Sequence, residues 1–374
     1  MDLDFSEEQQ MLRDMVRGVF TEYAAIETVR ELEDDAKGYP DELWKQLGEL
    51  DLLGLTIPEA YGGSEQSMLE GVIVYEEIGR ALAPSPHFVS CVLSAGALVL
   101  GGSEGQKQAW LPKIASGEAI LTPAWLEPRN SYGPKGVQVR AEADGEDFVI
   151  SGTKWHVLFA SAATKLLVVA RTGDGPTDID LFLVDPNADG VKLSQQMNLA
   201  SDTQYAVELD GVRVSAADRI GPAGSGWTTW DKVVQDGVIL AAAQAAGGAQ
   251  RALELTVEYA KEREQFDKPL GAFQAIAHYL SDAATNVEGG TTLIYEAAWA
   301  HAEGRDTSRL APMAKLFMCQ VYRDVTAMSL QIFGGVGFTI EYDAQLYFRR
   351  AKQLQLSWWD ARTLEERIAA SVLD

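Results

Sequence analysis

The stretch "VQVRAEADGEDFVISG", residues 137–152, marks the point at which the spacing of apolar residues along the chain changes. Apolar and polar residues alternate over its first positions, which is the period of a β-strand with one buried face. The Asp144-Gly145 pair then predicts a tight hairpin turn. Strand-like runs follow in "KLLVVAR", "DLFLVD" and "YAVELDGVRV". We therefore predict a compact antiparallel β domain over residues 121–224.

The segments on either side of this block have the period of a helix. Before it, apolar residues recur three or four positions apart, as at Leu43 and Leu47. After "GPAGSGW", three apolar-periodic segments are each long enough for a helix of a bundle. The order is therefore helices, then sheet, then helices, which predicts an α+β fold. We place the N-terminal helical domain at residues 1–120 and the C-terminal one at residues 225–374.

The composition of the chain excludes several classes of partner. Its 374 residues include 55 acidic and 31 basic ones, for a formal net charge of -24. Nucleic acids and anionic membrane surfaces are bound by basic faces, so we expect neither as a partner. Cys91 and Cys319 lie far apart in apolar stretches, which favours buried free thiols in a reducing compartment. With no leader-like start and no long apolar run, the sequence predicts a soluble, cytoplasmic protein.

Several familiar sites are not predicted. "GPAGSG", residues 221–226, is not set between alternating strands and helices and is not followed by a Walker-type lysine, so it favours a plain linker. The four histidines show no metal-ligand spacing, so we expect no metal site. No Gly-x-Ser-x-Gly elbow is present either.

A group of polar residues stands out in the last helical block. In "EREQFDKPLGAFQ", Arg263 and Phe266 are three positions apart, hence on one helical face if the helix continues there, and Gln274 follows a corner. In "QIFGGVGFT" a helix is predicted to end at Gly334-Gly335, where a ligand or another chain can approach the backbone. A solvated arginine, a core phenylalanine and a glycine cap would explain the same pattern.

Six stretches resemble the acyl-CoA dehydrogenase family, and the resemblance runs nearly from end to end. In chain order they are "FSEEQQMLRDMVRGVF", "LGELDLLGLTIPEAYGG", "YEEIGRALAPSP", "KQAWLPKIASGEA", "REQFDKPLGAFQAIAHYLSD" and "QIFGGVGFTIEYDAQLYFRRAK". The last two are the most specific. The resemblance implies an N-terminal helical domain, a middle β domain and a C-terminal four-helix bundle.

The resemblance also implies an activity. Enzymes of this family oxidise an acyl-CoA thioester to its α,β-unsaturated product: a carboxylate takes the α-proton while a hydride moves to FAD. Electrons then pass to an electron-transfer flavoprotein. Each FAD lies across a subunit boundary, with its ring on the β domain of one chain and its ADP part on the helical bundle of a neighbour. The two halves of the site can therefore be compared separately with this sequence.

The residues of the ADP half are present. The resemblance implies an arginine at the pyrophosphate, a nearby aromatic residue, a glutamine after the bend and a "QxxGG" stretch near the adenosine. The matching positions are Arg263, Phe266, Gln274, Gln331, Gly334 and Gly335. A guanidinium fork suits phosphate oxygens because it donates two hydrogen bonds at once.

The residues of the flavin half differ from the family pattern. Leu126 in "AWLEPRNSYGP" stands where a threonine hydroxyl usually meets the ring. Where the family has a Trp-Ile-Thr segment, this chain has His156, Val157 and Leu158, with Trp155 one position earlier. A slip of one residue would place Trp155 in that role; otherwise the ring site is degraded.

The catalytic glutamate of the family is also absent. The ungapped count from "QIFGG" through "RRAK" places it at Trp358, within "SWWDAR", and Asp360 follows two residues later. On a regular helix, two residues rotate a side chain by about 200°, which would aim Asp360 away from the substrate. The alternative family position is Gly237, directly after Asp236. Asp360 is the remaining candidate base, and the two tryptophans are expected to fill the vacated volume.

Three hypotheses remain open. In the first, the chain is a partner subunit of a heteromeric acyl-CoA dehydrogenase, and it donates the ADP half of an FAD site to a catalytic chain. It would then resemble two-subunit actinobacterial enzymes that act on CoA thioesters of steroid side chains. Alternatively, it is a self-contained homo-oligomer with Asp360 as the base, or a flavin-free binding protein on the same fold.

Overall fold

The computed structural model describes residues 5–129 and 131–373. The helices in this part of the chain are α1 (Glu7–Tyr23), α2 (Ile26–Glu31), α3 (Asp41–Glu49), α4 (Met68–Ala81), α5 (Ala95–Gly101), α6 (Glu104–Ala115), α7 (Gly226–Glu262), α8 (Gln274–Ala302), α9 (Leu310–Phe333), α10 (Ala344–Leu356) and α11 (Ala361–Leu373). The strands are β1 (Leu121–Ala124), β2 (Arg140–Asp144), β3 (Asp147–Leu158), β4 (Lys165–Arg171), β5 (Ile179–Val184), β6 (Val191–Gln196), β7 (Gln204–Val214), β8 (Arg219–Ile220), β9 (Glu264–Gln265) and β10 (Lys268–Pro269). The predicted order of helices, sheet and helices is confirmed.

Three of the helices begin with the same local device. In each, a serine accepts a hydrogen bond from the backbone three residues on, and the side chain there bonds back to the serine backbone, which satisfies two otherwise unpaired groups. The pairs are Ser6 with Gln9, Ser67 with Glu70, and Ser103 with Gln106. The local sequence therefore specifies where helices α1, α4 and α6 begin.

The sheet is mixed rather than purely antiparallel. Its strand order is β6-β7-β3-β2-β4-β5-β8, with β1 paired to β4. The hairpin and meander pairings are antiparallel as predicted, but β1 and β2 run parallel to β4. Strand β3 runs antiparallel to β2. Strand β4, which follows β3 in the sequence, reverses direction again and therefore runs parallel to β1 and β2. The predicted hairpin is present, with Asp144 opposite Asp147 and Gly145 at a φ of 68°.

Two compact units are present, and each combines distant parts of the sequence. One contains the chain up to Val29, Ser67–Ala83 and everything from Val238 onward; the other contains Arg30–Gln66 and Pro84–Gly237. We call them the helical unit and the sheet unit. The domain boundaries given above remain a prediction.

Helices α4 and α7 cross within the helical unit at two glycines. A Cβ atom at Gly79 would lie 1.8 Å from the carbonyl oxygen of Gln244, and one at Gly247 would lie 1.8 Å from that of Glu76. Only glycine permits this backbone-to-backbone approach. The crossing therefore fixes α4 firmly against α7.

The core of the sheet unit follows the strand periodicity. Strand β5 is buried along its whole length, and β4 is buried from Leu166 onward, in agreement with their continuous apolar runs. Both cysteines, Cys91 and Cys319, are buried free thiols as predicted. Among the helices of the described ranges, none is both long and apolar enough to cross a membrane.

Candidate functional site

Arg263 and Phe266 do not share a helical face, because the helix on which that prediction depended does not continue to them. Helix α7 ends at Glu262, and the next residues form the β9–β10 hairpin, whose two turn residues Phe266 and Asp267 have φ values of 55° and 64°. Pro269, in strand β10, disfavours a helix across this hairpin, because proline lacks an N–H and restricts the preceding residue to extended conformations. Two positive φ values match a tight hairpin turn.

The side chains of Arg263 and Phe266 in this hairpin are exposed. The Arg263 backbone is fixed, since its N–H donates to Tyr259 (2.8 Å) and its carbonyl accepts from Leu270 (2.8 Å). Its exposed guanidinium makes no hydrogen bond or ion pair with any residue that the structure describes. Phe266 is 87% exposed and meets Phe273 edge-on at 6.2 Å. A cation and an aromatic ring are thus available to another molecule.

Helix α8 begins at the corner with an open N-terminus. Its first residue, Gln274, is exposed, and the N-cap residue Phe273 provides no side-chain acceptor. The amide groups of the first turn and the helix dipole therefore favour an anion from outside the chain.

Helix α9 ends at Gly334, as predicted. Gly334 has φ 67° and ψ -142°, a conformation that essentially only glycine adopts. A Cβ atom at Gly334 or Gly335 would meet nothing within 4 Å, so intrachain packing does not exclude a side chain at Gly335. Gln331, one turn earlier, is exposed. This end of the helix leaves room for a molecule to lie against the backbone.

The ends of α7 and α9 lie side by side. Tyr259, one turn before Arg263, stacks on Phe333 with ring centroids 4.2 Å apart, and Phe333 directly precedes Gly334. The structure therefore brings the predicted residues to one exposed part of the helical unit. We call this set the ADP corner: Arg263, Phe266, Gln274, Gln331, Gly334 and Gly335.

The stretch that corresponds to the flavin half of the site has a different geometry. Leu126 is half-buried, and its carbonyl accepts from the N–H of Trp155 (2.8 Å). A β-bulge follows, in which His156 has a φ of 56° and its Nδ1 lies 3.0 Å from Gln204 Oε1. This bulge, which adds one residue to the strand, lies at the position where the sequence analysis allowed a slip of one residue for Trp155.

A buried ion pair that the sequence did not reveal holds this stretch in place. Lys154 Nζ donates to Glu127 Oε1 (2.7 Å) and to the Trp125 carbonyl (3.1 Å). The Glu127 carboxylate also accepts from the backbone of Gln138 and Val139. Burial lowers the pKa of Lys154 to about 8, while Glu127 opposes this shift. The signal in the sequence that could have revealed this ion pair is a lysine inside a strand that is otherwise rich in apolar residues.

The first four residues of the "SWWDAR" segment, 357–360, are not helical, which corrects the rotation argument for Asp360. Helix α10 ends at Leu356 and α11 begins at Ala361, and Trp358 and Trp359 between them have φ values of 52° and 75°. Asp360 Oδ1 accepts from the backbone N–H (2.9 Å) and hydroxyl (2.7 Å) of Thr363. Its carboxylate thus caps helix α11.

The two tryptophans of this segment differ in burial. Trp359 is fully buried, whereas Trp358 is half-buried. The Trp359 carbonyl accepts from Lys315 Nζ (2.9 Å), and the Arg367 guanidinium lies 3.6 Å from the centre of its ring. Lys315 is also fully buried, and burial lowers its pKa. Lys315, alone in the apolar run "APMAKLFMC", is a second residue that the sequence analysis missed.

The alternative base position is closed by apolar side chains. A Cβ atom at Gly237 would lie 2.9 Å from Leu93 Cδ2 and 3.4 Å from Phe88 Cζ, so a glutamate there would require Leu93 to move. Asp236 is paired along the helix with Lys232 (2.7 Å).

Two tryptophans fill the space two turns earlier along α7. Trp230 is fully buried and packs edge-on against Trp125, with ring centroids 5.3 Å apart. Apolar side chains therefore line this face of α7 both at Gly237 and at Trp230.

Comparison with known proteins identifies the family. The family model described as acyl-CoA dehydrogenase, N-terminal domain, matches residues 6–118. The middle-domain model matches residues 124–212, and the C-terminal-domain model matches residues 224–357. The chain belongs to the acyl-CoA dehydrogenase family. Its members are oxidoreductases that act on CH–CH bonds, and FAD is their cofactor.

The relatives span the whole chain. A probable acyl-CoA dehydrogenase of Bacillus subtilis, YngJ, is 32% identical over 95% of both chains. The ChsE4–ChsE5 complex from Mycobacterium tuberculosis contains a chain that is 30% identical with a TM-score of 0.90, covering 100% of this chain and 99% of that one. The Tcur3481–Tcur3483 steroid ACAD has a TM-score of 0.87 at 30% identity, covering 98% of both chains.

The ADP corner fits the ADP part of FAD. Within the described part of the chain it offers a guanidinium without a partner for a pyrophosphate, two exposed amide side chains, and a glycine backbone with no neighbour within 4 Å of its Cβ positions. The stretch at Leu126 and His156 fits the ring less well, because it lacks the threonine hydroxyl and is interrupted by the bulge. The two halves of the site are thus unequal in this chain.

Proposed function

We propose that this chain is a subunit of a heteromeric FAD-dependent acyl-CoA dehydrogenase and that it supplies the ADP half of an FAD site to a catalytic partner chain. FAD supplies the hydride acceptor in this chemistry, and an electron-transfer flavoprotein takes the electrons. The likeness to the ChsE4–ChsE5 complex and to a steroid ACAD supports a second dehydrogenase chain as the partner. It also supports a CoA thioester of a steroid side chain as the substrate.

The observation that carries this proposal is the inequality of the two half-sites. Every side chain of the ADP corner is exposed, and Arg263 has no intrachain partner among the described residues. At the base positions, by contrast, Trp358 has no proton-accepting group, Gly237 faces Leu93, and the Asp360 carboxylate caps a helix. One half presents exposed polar groups, whereas among the described residues none of the three candidate base positions offers a carboxylate without a structural role.

The residues of the ADP corner have complementary tasks. Arg263 would donate two hydrogen bonds to the pyrophosphate, while the open N-terminus of α8 beside Gln274 adds the positive end of a helix dipole. This local positive charge matters because the chain carries a net charge of -24, which repels a dianionic linker elsewhere on its surface. Gln331 and the glycine pair would hold the adenosine part.

The runner-up function is a self-contained homo-oligomeric dehydrogenase with Asp360 as its base. Asp360 is half-buried, so its second carboxylate oxygen is the group that this alternative requires. A flavin-free binding protein on the same fold is the third candidate. The ADP corner has no evident purpose in that case, which counts against it.

Purification separates these three functions. The chain is isolated alone and together with the product of an adjacent dehydrogenase gene, and the absorbance at 450 nm and the subunit ratio are measured. We expect colour only in the joint preparation, at a fixed ratio of the two chains. A yellow protein from the chain alone would support the self-contained enzyme, and two colourless preparations would support the flavin-free protein.

Replacing Asp360 with asparagine tests where the base lies. We expect turnover of the assembled, FAD-loaded enzyme to stay within a few-fold of the unmodified enzyme, because asparagine is also a good helix cap and only the ability to accept a proton is lost. If Asp360 is the base, turnover should instead fall more than about a hundredfold. Such a fall, measured with the FAD content and assembly unchanged, would favour the self-contained enzyme over the partner subunit.

A further inference from the structure

A second cation, Lys268, lies near Arg263 on the β9–β10 hairpin. In the register of the hairpin, Lys268 is directly opposite Gln265. The Leu270 N–H donates to the Arg263 carbonyl (2.8 Å), so the pairing continues and Leu270 lies opposite Arg263. Side chains of every second pair share a face of a hairpin, which puts Arg263 and Lys268 on the same face. They are diagonal neighbours, and such positions are about 7–8 Å apart.

The ammonium group of Lys268 is held at a defined place by an aromatic ring. Its Nζ lies 4.1 Å from the centre of the Phe273 ring, which is a cation–π contact. Phe273 is half-buried and is the N-cap residue of α8. The ring therefore keeps the ammonium group close to the open N-terminus of α8, where the helix dipole already favours an anion.

The positive charge at this face of the hairpin is not balanced from within the described chain. Lys268 is exposed and forms no ion pair with any residue in the ranges 5–129 and 131–373. Gln265, its cross-strand neighbour, is uncharged, and Glu264 is paired with Pro269 on the opposite face. Two cations and the positive end of a helix repel one another, so an anion bound between them would stabilise all three.

The two cations differ in their distance from the end of α9. Arg263 follows Tyr259 by one turn, and Tyr259 stacks on Phe333, which directly precedes Gly334. Lys268 lies instead on the strand that leads to α8. With the adenosine held at the end of α9, as proposed above, Arg263 is the nearer cation and Lys268 the farther one.

We propose that Lys268 is a second cationic contact for the pyrophosphate of FAD, that it binds the phosphate farther from the adenosine, and that the Phe273 ring positions it. This inference rests on the proposed function, because it adds a residue to the same half-site. Lysine binds phosphate as a point charge, whereas arginine binds it with a planar fork, so the two contacts complement each other. A lysine that only covers a ring with its methylene stem would contribute nothing to nucleotide binding.

FAD retention in the assembled complex tests the contact itself. Lys268→Ala should lower retention about three- to tenfold, less than Arg263→Ala, because an exposed point charge contributes less than a bidentate fork. Lys268→Arg keeps the charge and should restore most of the loss. Unchanged retention in Lys268→Ala, while Arg263→Ala loses FAD, would refute the role of Lys268 and leave the proposed function standing. Unchanged retention in both variants would refute both.

ADP and AMP show which phosphate Lys268 contacts. The full chain alone is titrated with each nucleotide, and binding is followed by ligand-observed NMR, which detects weak complexes. Lys268→Ala should weaken ADP binding about three- to tenfold and leave AMP binding nearly unchanged, whereas Arg263→Ala should weaken both. Equal losses for ADP and AMP in Lys268→Ala would overturn the assignment to the farther phosphate. An unmodified chain that binds neither nucleotide would contradict the ADP corner itself.

Replacing Phe273 with leucine tests the positioning role of the ring. Leucine keeps the apolar bulk but removes the π face, so Phe273→Leu should weaken ADP binding about two- to fivefold. The same change made in the Lys268→Ala background should cause no further loss, because the ring acts through the lysine. Losses that add in the double variant would show that Phe273 acts independently of Lys268 and would overturn the positioning role. Melting temperatures of all variants check that each is folded.

Discussion

Replacing Trp359 with alanine should lower the free energy of unfolding by about 3–5 kcal/mol, because it leaves a large cavity in a fully buried site. The indole ring fills that site and carries the Arg367 guanidinium on its face. Removing it also frees a backbone segment whose carbonyl holds the buried ammonium group of Lys315. Chemical denaturation of the isolated chain, monitored by circular dichroism, measures the loss.

Trp358 provides the matched control for this change. It is the same residue type, one position away, and also has a positive φ, but it is only half-buried. Trp358→Ala should therefore cost well under half as much as Trp359→Ala. Equal costs for the two variants would contradict the assignment of Trp359 as the residue that fills this part of the core.

Replacing Arg263 with alanine should reduce FAD retention in the assembled complex by about tenfold or more. Each charge-assisted hydrogen bond to a phosphate contributes on the order of 1.5–3 kcal/mol, and 1.4 kcal/mol corresponds to about a factor of ten. The Arg263 guanidinium makes no contact of this kind with the described part of its own chain, so the melting temperature of the isolated chain should not change. FAD content is measured after gel filtration at increasing dilution.

Two further variants separate geometry from charge. Lys261→Ala removes a positive charge two residues before Arg263, from an exposed site at the end of α7, and should leave FAD retention nearly unchanged. Arg263→Lys keeps the charge but loses the planar fork, so its retention should lie between those of the alanine variant and the unmodified protein. Unchanged FAD occupancy in assembled Arg263→Ala complexes would refute the role given to the ADP corner.

Much of the fold could be predicted because its determinants are local. The change of apolar period located the sheet, "KLLVVAR" coincides with β4, and the Asp144-Gly145 turn is present where its chemistry indicated. The parallel pairings of β4 were not predicted. Strand direction depends on the order in which distant segments join the sheet, and no local pattern records that order.

The sequence analysis named the residues of the candidate site but did not predict their backbone conformation. The six residues of the ADP corner were named from the resemblance of the sequence, but the arguments about their facing and about Asp360 assumed a continuing helix, and the structure has a hairpin at Phe266 and a bend at Trp358 instead. Positive φ values at aromatic residues are uncommon and are imposed by surrounding structure rather than by intrinsic preference. Contacts between distant positions, such as the hydrogen bond from Arg13 Nη2 to the Tyr295 oxygen (3.0 Å), were equally hidden.

The turn at Phe266 and Asp267 lowers the stability of the chain. A hairpin of this type is most stable with asparagine and glycine, whereas each non-glycine residue held in a left-handed conformation costs about 1–2 kcal/mol. This chain accepts that cost and places a bulky ring in water at the tip. The chain is therefore less stable than its own fold would permit. Engineering that optimises the stability of the free chain would change this turn first, and it would thereby remove an exposed ring that the proposed FAD site uses.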